Sequence, residues 1–166
     1  MSVLWPYFWP TLLAGIVCGL IGGIIAFRWE ERRPLALSIG LAAALAFTGL
    51  WHGPLGAADR LTAKVERSAR HTLDYLEMSD IGEHLHRGPL TRRLILSGRA
   101  DDFQTSELAR ILSELPGVSS ARWSENDPGP PLIAEAIALT LLGFLFGLIV
   151  AYLVELRRRH NAQWNW

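Results

Sequence analysis

The chain has 166 residues, of which 50% are apolar, more than one small soluble core of this length takes up. Its formal net charge is +0, so the overall balance gives no reason to propose nucleic acid or a strongly acidic partner. A lone cysteine, Cys18, rules out an intrachain disulfide and the paired-cysteine zinc patterns.

Apolar surface is segregated along the chain: long apolar tracts lie toward both ends, and most of the Arg, Asp and Glu fall between residues 57 and 127. The first tract, Leu4 to Phe27, carries no charge. At about 1.5 Å per residue it is long enough to cross a hydrocarbon core of about 30 Å. Arginines follow it, at Arg28, Arg32 and Arg33, which reverses the basic-then-apolar order of a cleaved signal peptide. Segment 1–27 is therefore read as a first transmembrane helix and 28–33 as a loop.

The second tract, 34–51, starts at Pro34, a residue suited to a first helical turn because the amide it lacks has no partner there. Leu35 to Trp51, about 17 residues, sits at the lower limit for spanning, and a re-entrant segment is the alternative. The third, 131–156, is the most apolar: Leu132 to Leu156 has Glu135 near its start, Glu155 near its end, and Arg157, Arg158 and Arg159 directly after. The positive-inside rule then puts loop 28–33 and tail 157–166 in the cytoplasm. The N-terminus and residues 52–130 face outward, toward the periplasm if the membrane is a bacterial inner membrane. Trp5, Trp9, Trp29 and Trp51 fall near span ends, where an amphipathic ring suits the headgroup level, and Trp164 and Trp166 are placed to touch the inner surface.

Gly15, Gly19 and Gly23 repeat at i+4 in the first span, and Gly143 and Gly147 do so in the third. Small residues at that spacing form a smooth stripe on which another helix can pack closely. The partner helix is either within the chain or on another subunit.

Between the second and third spans, the turn-rich His52-Gly53-Pro54-Leu55-Gly56 leads into a helix with Leu61, Val65, Ala69, Leu73 and Leu76 on one face. Arg60, Lys64, Arg67, Arg70 and Asp74 on its other face mix signs, as a solvated surface does. Ile81 to His86 and Thr91 to Ser97 read as a hairpin around Arg87-Gly88-Pro89-Leu90. Asp101 or Asp102 caps a second helix with Leu108, Ile111, Leu112 and Leu115 inward, closed by Pro116-Gly117, and Val118 to Trp123 forms a third strand. The fold class is thus membrane α-helical, three spans with a small α+β soluble domain of order helix-strand-strand-helix-strand.

Leu96-Ser97-Gly98, a following helix with Leu108 and Ile111, and Leu115-Pro116-Gly117-Val118 before the last strand make residues 57–125 resemble the BON family. That family has a glycine after its central strand and a Gly-Val before its last one. The first strand here is more polar than in that family. The resemblance implies a non-enzymatic binding module of the bacterial envelope, directed at phospholipid surfaces or partner proteins, and carries over no catalytic residue. Gly98 can in any case turn the chain out of a strand, and Gly117 can take positive φ after a helix.

A search for chemistry yields little. His84 and His86 lie on one face of a strand, with Glu83 on the other and His71 or Asp80 as the available additions, which falls short of a metal site. Asp101-Asp102 is explained by capping. No Gly-x-Ser-x-Gly turn, phosphate loop or HExxH helix is present. The expectation is a protein without cofactor, metal or small-molecule substrate, partnered by membrane lipid and by a membrane protein or further copies of itself. Its lipid or partner surface on the domain is expected at Arg92, Arg93 and Arg99. The alternative is an accessory subunit of a larger respiratory, photosynthetic or transport complex.

Overall fold

The computed structural model describes residues 3–124 and 129–163. Trp164, Trp166 and the Asn126, Asp127 and Pro128 of the proline-rich connector lie outside the described residues. The chain divides into two compact units, Met1–Tyr7 with Gly56–Glu135 and Phe8–Leu55 with Ala136–Trp166.

The second unit is built from three helices that are long and apolar enough to cross a membrane: α1 (Trp5–Arg28), α2 (Arg33–His52) and α5 (Leu132–Gln163). A 3-10 turn, Glu30–Arg32, joins the first two, and Pro34 occupies the opening turn of α2. α2 has 20 residues, about 30 Å at about 1.5 Å per residue, which supplies the length that the bare apolar tract lacked. α5 runs 32 residues and continues past Leu156 through the arginines. Glu155 pairs with Arg158 and Arg159 at i+3 and i+4, the spacing that stabilises a helical turn, so the tail remains helical to Gln163.

Contacts fix the directions of these helices. On α1 and α5, Gly15 meets Thr140, Gly19 meets Phe144, and Gly23 meets Leu148 and Ala151, numbers rising together, so the two run parallel. Gly22 meets Ala36 and Gly40 meets the Cys18 carbonyl, numbers running oppositely, so α2 is antiparallel to α1. Near the other end, Thr48 Oγ1 and Thr140 Oγ1 share a hydrogen bond of 2.7 Å, and Thr140 Oγ1 also lies 3.4 Å from the Thr11 carbonyl. All three threonines are fully buried.

The first unit carries the α+β domain: α3 (Ala57–Tyr75), β1 (Gly82–Arg87), β2 (Leu90–Ser97), α4 (Asp102–Ser113) and β3 (Ser120–Arg122). β2 is central, antiparallel to β1 and parallel to β3. Leu85 faces Leu94 across the first pair and Leu94 faces Ala121 across the second, so these side chains share one sheet face. The face is buried, and Leu73, Ile81, Leu96 and Leu112 complete its core. Strand β3 is three residues, shorter than the expected Val118 to Trp123, because Trp123 turns to donate its indole N–H to the Thr105 carbonyl at 3.0 Å.

Polar groups settle the element ends. Asp101 caps α4: its carboxylate accepts the Gln104 amide at 2.7 Å while the Gln104 side chain accepts the Asp101 amide at 3.1 Å, a reciprocal capping box. At the sheet's outer margins, Glu66 of α3 accepts the Leu85 amide at 3.0 Å, and Ser113 of α4 accepts the Ala121 amide at 2.9 Å. Gly98, at φ 134, takes a conformation that side-chain-bearing residues avoid, and an added Cβ would stand 2.8 Å from the Asp80 carbonyl. Gly117, at φ 104, would bring a Cβ within 2.9 Å of Val65.

Candidate functional site

The three arginines read from sequence as one exposed surface are held differently. Arg92 pairs with Glu135 at 2.9 Å, both side chains 24% exposed. Arg93 is 8% exposed and donates from Nε to the Ser120 hydroxyl at 3.2 Å. Arg99, beyond the end of β2, is exposed. The correction has a simple cause. Arg92 and Arg93 sit on the central strand, where neighbours on both sides and the chain entering α5 enclose their side chains, and only Arg99 escapes into a loop.

His84 and His86 are half-buried on the sheet face opposite Leu85, and His86 Nδ1 lies 3.0 Å from the Pro89 carbonyl. Among the described residues no group of three or more His, Cys, Asp or Glu is disposed to hold a metal ion. Glu83 reaches the opposite face, where Arg70 of α3 is its partner. Burial raises the Glu83 carboxyl above its ordinary value, while the Arg70 charge and hydrogen bond act against that rise.

Two exposed aromatics flank adjoining loops of the domain in sequence. Gly98 lies against Asp80 and Ile81, so the loop after β2 adjoins the loop after α3. Tyr75 closes α3 ahead of one of these loops and Phe103 opens α4 after the other, 84% and 74% exposed. Arg99 and the carboxylates Asp74, Glu77, Asp80, Asp101 and Asp102 of the segments flanking the junction are exposed. Neither aromatic was singled out from the sequence. Tyr75 is the residue that breaks the apolar repeat of α3, and Phe103 stands in the first turn of α4 off its Leu108–Leu112 face, which is the signal that marks them.

In the helical unit, Gly15, Gly19, Gly143 and Gly147 all lie where α1 crosses α5. A side chain at any of them would strike a carbonyl of the opposite helix, from Thr140, Phe144, Leu12 and Ile16 respectively. Gly23 admits the Ala151 methyl, whose Cβ would be 2.7 Å from a Cβ placed there. The stripe is wider than its glycines. Thr11 extends it on α1, and Ala36, Gly40, Ala44 and Thr48 repeat every four residues on α2, a pattern present in the sequence but hidden by the absence of a second glycine at that spacing. Trp9 and Trp29 are exposed, and Trp51 stacks on Phe47 with ring centres 6.2 Å apart.

Compared with known proteins, the chain matches no family model, no curated protein and no solved structure.

Proposed function

We propose that this chain is a non-enzymatic inner-membrane protein that displays a BON-like α+β domain on the periplasmic side and uses it to hold a protein partner or lipid at the membrane surface. The observation that carries the reading is the pair of exposed aromatics on the domain. Large exposed apolar side chains on a folded domain, set among charges, are what a recognition surface offers, and aromatics contribute most to such contacts. The exposed carboxylates of the segments that flank these loops favour a protein over anionic headgroups, because like charges repel. The orientation is supported by the helix directions, since Arg159 reaches the Phe27 carbonyl at 3.5 Å and Arg33 the Ala26 carbonyl at 3.4 Å. Both basic segments thus share one end of the bundle, as the positive-inside rule asks of a cytoplasmic side.

The test is cross-linking in intact membranes followed by purification of the tagged chain. With Tyr75→Ser and Phe103→Ser together, a cross-linked partner is expected to fall by about tenfold or more, since buried aromatics at contact centres carry about 2 kcal/mol each. Unchanged cross-linking removes these two aromatics from the function.

The accessory-subunit reading is favoured by the exposed pair Gly49 and Leu50 near the end of α2. Gly49 discriminates, because a side chain there meets nothing within 4 Å in this chain. If Gly49→Leu abolishes assembly of a host complex and deletion of residues 57–127 does not, the spans carry the function and the domain does not.

A further inference from the structure

Between α1 and α2 lies an open groove of about 340 Å³. Its walls are apolar, with Ile21 and Ile25 from α1 and Leu35, Ile39 and Ala43 from α2, and Arg32 is the charged residue among those lining it. Arg32 stands at the groove's end, its guanidinium 6.0 Å from the centre of the Trp29 ring, and both side chains are exposed. We propose that this groove is a binding site for one anionic phospholipid, with an acyl chain along the apolar walls and the phosphate on Arg32.

Three observations commit the site to that occupant. Its volume falls in the range of about 300–1,000 Å³ typical of small-ligand sites. Its length from Cys18 to Trp29 on α1 is about 16 Å at about 1.5 Å per residue, roughly half of a hydrocarbon core of about 30 Å. That is one leaflet, the depth of a single acyl chain, whereas a partner's spanning helix needs both. The charge then lies where a lipid carries its own: a guanidinium fork matches phosphate geometry, and a tryptophan beside it sits at headgroup depth. Basic pockets between spanning helices hold anionic headgroups on the same physical grounds.

The proposal rests on α1 and α2 being membrane spans, and the experiment separates the two claims. The full chain is extracted in a mild detergent and its bound lipid measured by native mass spectrometry during titration with phosphatidylglycerol and with phosphatidylcholine. Wild type is expected to retain one phosphatidylglycerol, with a preference over phosphatidylcholine of about tenfold, a difference of about 1.4 kcal/mol. Arg32→Gln removes that preference and Arg32→Lys restores part of it. Ala43→Trp, which fills the groove from its exposed side, lowers the binding of both lipids; Ile39→Phe does the same should the tryptophan variant lose its helix content. Equal binding of the two lipids by wild type, binding indifferent to Ala43→Trp, or a polypeptide carried in place of lipid would overturn the site. Release of the chain from membranes without detergent would overturn the spans themselves.

Discussion

At the scale of single residues, the domain turns on a carboxylate that it encloses with a cation. Glu83 is nearly enclosed and its stability depends on Arg70. Because burial raises its folded pKa above the ordinary 4.5, the folded state binds this proton more tightly than the unfolded state does. Its contribution is therefore fully present below the ordinary value and is lost as pH rises through the raised one. Glu83→Gln is expected to flatten that part of the profile of melting temperature against pH. Arg70→Ala, which leaves the carboxylate buried without its cation, is expected to cost about 2 kcal/mol at neutral pH, measured by thermal denaturation in detergent. Gly98→Ala forces a strained φ and a close approach to the Asp80 carbonyl, for an expected loss of about 1–3 kcal/mol in the same measurement. The glycines were legible in the sequence because positive φ leaves few other choices. The arginines were not, since a charge on paper points outward unless the strand beneath it is known to be central, and Arg92 and Arg93 are on such a strand.

At the scale of elements, the three long apolar helices meet through small residues: α1, α2 and α5 approach closely at their glycines and alanines and through the hydroxyls of Thr48 and Thr140, the kind of packing that holds helices together where lipid is as apolar as leucine. A double-mutant cycle with Thr48→Val and Thr140→Val is expected to give a coupling of about 0.6 kcal/mol, and no more than about 1.7 kcal/mol, in detergent-resistance or steric-trapping measurements. Gly19→Leu and Gly143→Leu should separate α1 from α5 and lower the efficiency of a bifunctional cross-link between cysteines placed at Phe27 and Tyr152, whose rings lie 5.8 Å apart across the two helices. The existence of three apolar helices was plain from charge-free runs. Their ends were less so: α2 begins at Arg33, and α5 continues to Gln163 through three arginines, because ion pairs along a helix prolong it where an apolar tally sees only an exit from the membrane.

At the scale of the whole molecule, segregation of apolar sequence from charged sequence already separates a helical unit from an α+β one. Sidedness is open to direct measurement. In a Cys18→Ala background, a cysteine at Ser124 is expected to react with an impermeant maleimide in intact cells, and cysteines at Glu31 and Asn161 only after permeabilisation. Reaction of Glu31→Cys from outside would reverse the map. The domain's two margins bear on how any polypeptide meets it. The outward amide of Leu85 is already taken by Glu66, and that of Ala121 by Ser113. On each rim of this small sheet one outward amide is therefore closed to a visiting strand, which shortens the backbone ladder that such a strand could form. Recognition at this domain thus leans toward side chains, and a binding sequence is expected to be read more by its residues than by its willingness to lie extended.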